Sequence, residues 1–230
     1  MDDARLTLRA RALTAASEAE PRPHSEVWEA LVRGQHRIED TLNDGPNCYL
    51  ILSYSPTAPA GMKPTHQAIL ERILRGDCQK HVAIDFDLAN STVATVAKQA
   101  LTMLGLNCQP SRVPLAVVLL AQSTRKGSPY ALTARLATFE HSWRTLQVVS
   151  IRRPDGRLSS ILPPAEADVV RARLEGWSHK LIADERHTST RTVANQLASA
   201  SRRLGTSGRL ATISRLVAAG ADYQPPALAS

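Results

Sequence analysis

Several features are scarce or missing in this chain of 230 residues, and each absence argues against a class of protein. It has three cysteines, an odd number, which argues against a disulfide framework. The longest apolar stretch, residues 113–121, has about half the roughly 18 residues of a membrane span and contains Pro114. The chain begins Met1-Asp2-Asp3, with acids where a secretory signal needs basic residues. We therefore expect a cytoplasmic protein outside the membrane.

Motifs of common catalytic sites are also missing. The sequence has no glycine-rich phosphate loop and no Ser-His-Asp set with a recognisable context. Cys78 and His81 form an isolated Cys-x-x-His pair without the second pair of ligands that a zinc site requires. We expect no enzymatic activity, no metal and no other cofactor.

The composition that is present fits a globular protein with a mild positive charge. Hydrophobic residues make up 43% and charged residues 21% of the chain. Lys and Arg number 28 against 21 Asp and Glu, so the formal net charge is +7 and the sequence pI is near 9.8. This balance favours a polyanionic partner, usually nucleic acid, although many basic proteins bind none. The length suits one large domain or two small ones.

The chain matches itself, without gaps, at a shift of 100 residues. The identical positions are small, apolar or glycine, as expected when one backbone is specified twice. They include Pro64 and Pro164, Gly76 and Gly176, Lys80 and Lys180, Thr92-Val93-Ala94 and Thr192-Val193-Ala194, and Leu104-Gly105 and Leu204-Gly205. We predict a duplicated unit.

A β-hairpin is predicted ahead of each copy. Residues 48–54 and 145–152 are rich in β-branched and aromatic side chains, which favour strands. The turn signal Asn43-Asp44-Gly45 precedes the first of them. We place the hairpins at about residues 36–54 and 135–152. Trp28, Trp143 and Trp177 are predicted to pack in the core or against the hairpins.

Apolar spacing within the second copy predicts four helices. The first contains Val169 and Leu174 and ends near Gly176, a residue suited to a left-handed helix C-cap. The second begins after Ser178, and a short turn separates it from the third, which begins near Thr190. A helix, a short turn and a second helix with small residues at the turn are typical of a helix-turn-helix.

The motif resembles a known family. Gly176-x-Ser178-x-Lys180-x-Ile182-Ala183, then Ser189-x-x-Thr192-Val193, then Leu204-Gly205 and Arg209 are similar to the C-terminal DNA-binding domain of LuxR-type regulators, also called GerE- or NarL-type. The match covers about residues 162–219, and residues 62–121 resemble the same family more weakly.

The repeat, the strand patterns and the resemblance together predict an α+β fold, mostly α, with two repeats, each a β-hairpin followed by a four-helix LuxR-type helix-turn-helix unit. The hairpins lie outside the family domain and are predicted from the pattern alone. Residues 1–24 form an N-terminal arm, either a loose helix or a disordered segment. The first repeat spans residues 25–122, with a degenerate helix-turn-helix at 62–121. The second spans residues 123–222, with a DNA-binding helix-turn-helix at 160–220, and a tail follows at 223–230.

The resemblance also implies which residues touch DNA. In such domains the third helix enters the major groove, and residues after the Thr-Val pair reach base edges. Both copies carry Ala where the family often has Lys, which removes a common contact. The implied DNA-binding residues are Lys180, Ser189, Thr190, Arg191, Thr192, Ala194, Asn195, Ala198, Ser199 and Arg202 in the second copy, and Lys80, Thr92, Thr95 and Lys98 in the first.

The resemblance predicts a transcriptional regulator that binds double-stranded DNA, with the second repeat reading the major groove. The alternative is a protein-interaction module that docks another regulator or RNA polymerase on degenerate helix-turn-helix units. We expect a pseudo-dimer within one chain through helices at 112–121 and 209–219. A homodimer formed by strand edges at 49–53 or 148–151 is the other possibility.

Overall fold

The computed structural model describes residues 2–54, 61–123 and 133–221, so the predicted tail at 223–230 lies outside the described residues. The fold is α+β, mostly helical, with an antiparallel sheet. The strands are β1 (Glu20–Pro23), β2 (His36–Asp44), β3 (Asn47–Tyr54), β4 (Thr133–His141) and β5 (Arg144–Arg152). The helices are α1 (Asp2–Ser17), α2 (His24–Val32), α3 (Pro64–Leu74), α4 (Gln79–Asp85), α5 (Asn90–Met103), α6 (Leu115–Ser123), α7 (Leu158–Ile161), α8 (Pro164–Leu174), α9 (His179–Glu185), α10 (Thr190–Leu204) and α11 (Gly208–Ala221). Across these three ranges no helix has both the length and the apolarity to cross a lipid bilayer.

The sheet joins two hairpins side by side. Its strand order is β1-β4-β5-β3-β2, with every neighbouring pair antiparallel. The hairpins β2–β3 and β4–β5 correspond to the two predicted ones, and β3 pairs with β5 between them. The predicted homodimer edges at 49–53 and 148–151 are therefore wrong, because these strands are interior and pair with each other.

Both faces of the sheet are covered, which explains the nearly continuous apolar run of β3. Ile51 and Val148 point to one face, where they pack with Ala12 of α1. Leu50 and Val149 point to the other face and join the main core with α2 and α6. The result is three layers, with α1 on one side of the sheet and the remaining helices on the other.

Ion pairs tie α1, within the predicted arm, to the sheet. A register shift between Ile38 and Asp40 marks a β-bulge in β2. The Asp40 carboxylate accepts hydrogen bonds from Arg5 at 2.6 and 3.0 Å and from Arg9 at 2.7 and 3.2 Å. Burial favours the neutral form of Asp40, but these two guanidinium groups outweigh it and hold its pKa well below the usual range. Of the two alternatives for this segment, the structure has the helix, docked by its arginines.

The helical segments recur in the same order after each hairpin. Helices α3, α4 and α8, α9 begin at positions 100 apart, as do α5 and α10. Helices α6 and α11 are in contact, and Gln122 Nε2 donates to Ser214 Oγ at 2.6 Å. Gly76 is a second point of contact between the two helical segments, since a Cβ there would lie 2.9 Å from the backbone nitrogen of Ala211 in α11. The two helical segments thus pack directly on each other.

The three tryptophans occupy different environments. Trp28, in the helix α2 that the sequence analysis did not predict, is completely buried and donates to Glu71 Oε1 at 2.8 Å. Trp177 is half-buried against the apolar cluster of the second helical segment. Trp143 is 94% exposed, so its predicted packing is wrong. It occupies the β4–β5 turn with Ser142, both at positive φ, and this turn points the indole into solvent.

Candidate nucleic-acid interface

Helices α9 and α10 are joined by a short turn and packed together by a small apolar cluster. Ile182 and Ala183 of α9 pack with Val193 of α10 and Val169 of α8. Residues 186–189 make the turn, in which His187 adopts φ +50. Because the turn is short and the apolar cluster is buried, α10 keeps one face towards the solvent.

The start of α10 is closed by its own side chains. Ser189 Oγ accepts the backbone N–H of Thr192 at 3.0 Å, and the two hydroxyls lie 2.9 Å apart. This arrangement is an N-cap of the usual kind. Both residues belong to the predicted DNA-binding set, and in the free protein their hydroxyls are hydrogen-bonded to each other. Thr190 and Arg191, also in that DNA-binding set, are exposed on the first turn.

The outer face of α10 carries most of the other predicted residues. Arg191, Asn195, Ala198 and Arg202 follow each other at helical spacing and are all exposed. Ala194 is exposed beside them, whereas Ser199 is half-buried at the margin of this face and offers less surface to a partner. We call Arg191, Ala194, Asn195, Ala198 and Arg202, together with the exposed Lys180 of α9, the α10 face.

The positive charge of the α10 face is not neutralised internally. In the part of the chain that the structure describes, Lys180, Arg191 and Arg202 make no ion pair. Neighbouring arginines differ, because Arg171 and Arg186 share Asp168, at 2.9 and 3.3 Å. Among the described residues, Arg191 and Arg202 are therefore free cations at helical spacing from the polar amide of Asn195, and Lys180 is a further exposed cation on α9.

Two exposed residues beside this face were not predicted. Arg203 lies next to Arg202 and pairs with Glu166 at 3.4 Å, which reduces its availability. Leu181, adjacent to Lys180, is 48% exposed. The helical spacing of α10 would have pointed to Arg203, but its pairing with a glutamate on α8 depends on tertiary contact. Asp184 and Glu185 are exposed on α9 and lower the local positive potential.

The first helical segment repeats this geometry with a different surface. Asp87 adopts φ +51 in the turn, matching His187, and Lys80, Thr92, Thr95 and Lys98 are all exposed as predicted for contacts. The start of α5, however, has Ala89 at the N-cap position without a side-chain hydrogen bond.

Two further features separate the segments. Ser91 and Thr102 stand at the positions of Arg191 and Arg202, so the two arginines have no counterparts. The Thr95 hydroxyl donates to the carbonyl of Ser91 at 3.0 Å, within its own helix. The structure thus exposes most of the predicted residues of each copy, and the described part of the first copy has less free positive charge.

The ranges described contain no group of three or more side chains suited to holding a metal ion. Cys78 is a free, exposed thiol at the start of α4.

Comparison of the chain with protein-family models, with curated proteins and with solved structures finds no match.

Proposed function

We propose that this protein is a transcriptional regulator that binds double-stranded DNA, built from two tandem LuxR-type helix-turn-helix units that each follow a β-hairpin. The α10 face carries the proposal. In the described part of the chain it presents three cations that make no ion pair, Arg191 and Arg202 beside Asn195 on the exposed side of α10 and Lys180 on α9. An exposed helix with this charge pattern suits the major groove.

In this proposal different residues bind the DNA backbone and contact the bases. Lys180 and Arg191 bind phosphates, which positions the domain without reading sequence. Asn195 reads adenine through the two polar atoms of its amide, worth about 1–3 kcal/mol of discrimination. Ala194 and Ala198, which have no polar side-chain atoms, allow α10 to approach closely and to contact thymine methyl groups.

The second unit is the main DNA reader in this proposal. The first unit lacks the arginines at the positions of Arg191 and Arg202, and Asp85 and Asp87 are exposed near its turn. Contact between α6 and α11 holds the two units together as an internal pair. The first unit then contributes a weaker contact through Lys80 and Lys98.

Fluorescence anisotropy with a random-sequence duplex pool, titrated at several salt concentrations, tests this function. We expect a steep fall of log affinity with log salt and enrichment of a sequence motif upon selection. Lys180→Ala and Lys80→Ala, at the same register in the two units, form a matched pair in which the first weakens binding more. No binding at low salt would overturn the proposal.

A protein-interaction module is the second candidate, and one observation favours it. Ile84 of α4 is 72% exposed, an unusual state for a branched apolar side chain, and it lies beside the acidic Asp85 and Asp87. This surface suits a partner with an apolar contact and basic residues, such as another regulator or RNA polymerase. Surface plasmon resonance with purified RNA polymerase tests it, since Ile84→Glu should abolish the signal while Leu181→Glu should not.

A further inference from the structure

A cavity of about 180 Å³ lies behind α10, between α8, the start of α9 and the start of α11. Its polar lining includes Arg173, Arg209, His179 and Ser201, and its apolar lining includes Leu197. We call it the α8–α11 cavity. Within the described residues no Asp or Glu lines it, so its polar wall is predominantly basic.

The two arginines of this wall differ from the other shielded arginines of the protein. Among the described residues eight arginines are buried or half-buried, and six of them form an ion pair with a carboxylate. Arg173 and Arg209 are the two that do not. Both therefore carry charge that no acid of the described chain neutralises.

Backbone carbonyls are the partners that Arg209 does have. It is 5% exposed, and its Nε and Nη2 donate to the carbonyl of Leu174 at 3.0 and 2.6 Å, at the C-terminal end of α8. Its Nη1 is buried and finds no hydrogen-bond partner among the described residues. Arg173 donates from Nη1 to the carbonyl of Trp177 at 3.1 Å. Carbonyl dipoles compensate a buried guanidinium less completely than a carboxylate does.

Electrostatics agree with this geometry. Burial, and then the charge of Arg173, lower the pKa of Arg209 to about 10. Burial, and then the charge of Arg112, lower the pKa of Arg173. The surroundings of both groups are thus short of negative charge, a deficit that a bound anion would remove.

The first helical segment shows that the cavity is not a requirement of the fold. At the shift of 100 residues, Arg173, His179 and Ser201 correspond to Ile73, Gln79 and Leu101. Ile73 and Leu101 are buried core residues. The second segment therefore replaces apolar packing with basic and hydroxyl side chains around an open volume.

We propose that the α8–α11 cavity binds a small organic carboxylate with a short aliphatic chain. The guanidinium groups of Arg173 and Arg209 attract the carboxylate, and Leu197 and Leu204 cover the chain. The apolar wall favours such a molecule over an inorganic anion. If the proposed DNA-binding function holds, the ligand contacts the inner side of the recognition helix, because Leu197, Ser201 and Leu204 belong to α10.

Isothermal titration calorimetry of the full chain with hexanoate, without DNA, tests the proposal. Hexan-1-ol and inorganic phosphate are the comparison ligands. We expect the wild type to bind one hexanoate per chain and Arg173→Gln to bind it at least tenfold more weakly. Ser201→Leu, which reproduces the filled core around Leu101, should bind no hexanoate. Arg215→Gln, which removes an exposed charge from α11, should leave the affinity unchanged.

Three outcomes would overturn the assignment: no hexanoate binding, equal binding of hexanol or phosphate, or full binding by Arg173→Gln or folded Ser201→Leu. Circular dichroism melts establish that each variant is folded, and Arg173→Gln alone decides the matter if Ser201→Leu unfolds. Because the assay contains no DNA, failure here is separate from failure of the proposed DNA-binding function.

Discussion

Ile51 and Val148 lie directly opposite each other across the β3–β5 pair, each four residues after the start of its strand. Leu50, just before Ile51, pairs with Val149, just after Val148, and Leu52, just after Ile51, pairs with Gln147, just before Val148. The pairing is therefore the same whether it is followed from the first hairpin or from the second. A pseudo-two-fold axis therefore passes through the Ile51–Val148 pair. Identical subunits of a dimer meet in this way, whereas here both halves belong to one chain.

Lys180→Ala should weaken binding to all duplex sequences by a similar factor. Its ammonium is exposed and unpaired in the described structure, so its proposed role is to neutralise one phosphate. The slope of log affinity against log salt should fall by about 1. Anisotropy titrations of the wild type and the variant measure both quantities. An unchanged affinity and slope would contradict the proposed docking.

Asn195→Ala should relax the preference at one base pair and leave the salt slope unchanged. The amide is exposed midway along the α10 face, and its loss should reduce discrimination by about 1–3 kcal/mol at a single adenine. Competition among duplexes that differ at one position gives this value. Thr95→Ala in the first unit is the control, since its hydroxyl is already bonded within α5.

Asp40→Asn should destabilise the protein by about 2–3 kcal/mol, because the negative charge and one of the two oxygens that accept from Arg5 and Arg9 are lost. The depressed pKa of Asp40 adds a pH dependence: its stabilising effect is present above the unfolded-state pKa and is lost as pH falls towards the folded-state pKa. Urea denaturation at several pH values measures both effects. Asp44→Asn, at an exposed position of β2, should change little.

His24 should make stability fall as pH decreases from about 6.5 to about 4. Burial, partly offset by a backbone interaction with Leu119, lowers the pKa of His24 to about 4. Between these values the unfolded chain binds more protons than the folded chain, so unfolding is favoured as pH falls, by about 3 kcal/mol at the lower limit. His24→Leu should remove most of this dependence in urea titrations. His36, whose pKa burial also lowers, contributes in the same direction.

Gly76→Ala should be more destabilising than Gly205→Ala. Both glycines have positive φ, +93 and +63, so both substitutions strain the backbone. Only at Gly76 would the new Cβ meet the backbone of Ala211, at 2.9 Å, and force α3 and α11 apart. We expect an additional cost of about 1–3 kcal/mol, as for overpacking. Equal thermal melts would show that the contact between the helical segments is looser than described.

Local patterns account for the elements that the sequence predicts well. The starts of α8, α9 and α10 follow from Pro164, Ser178 and Ser189, since proline and serine favour helix N-termini. The hairpins follow from β-branched runs and turn residues. These signals depend on neighbours in sequence, and so they can be interpreted without the fold.

Other features depend on distant partners. The docking of α1 requires Asp40, and the burial of β3 requires β5, about one hundred residues away. At the candidate interface, exposure of the α10 face follows from helical spacing. The pairing of Arg203 with Glu166 does not, nor does the exposure of Trp143, which depends on the turn it occupies.

Because β3 and β5 belong to one chain, the pairing of the two halves does not depend on the concentration of the protein. Two separate chains joined in this way would come apart on dilution, and their folding would depend on concentration. Within one polypeptide the partner is always present, so changes in expression alter the number of assembled molecules but not the fraction assembled. The two halves can also differ in sequence, as at Arg191 and Ser91, so each can become specialised.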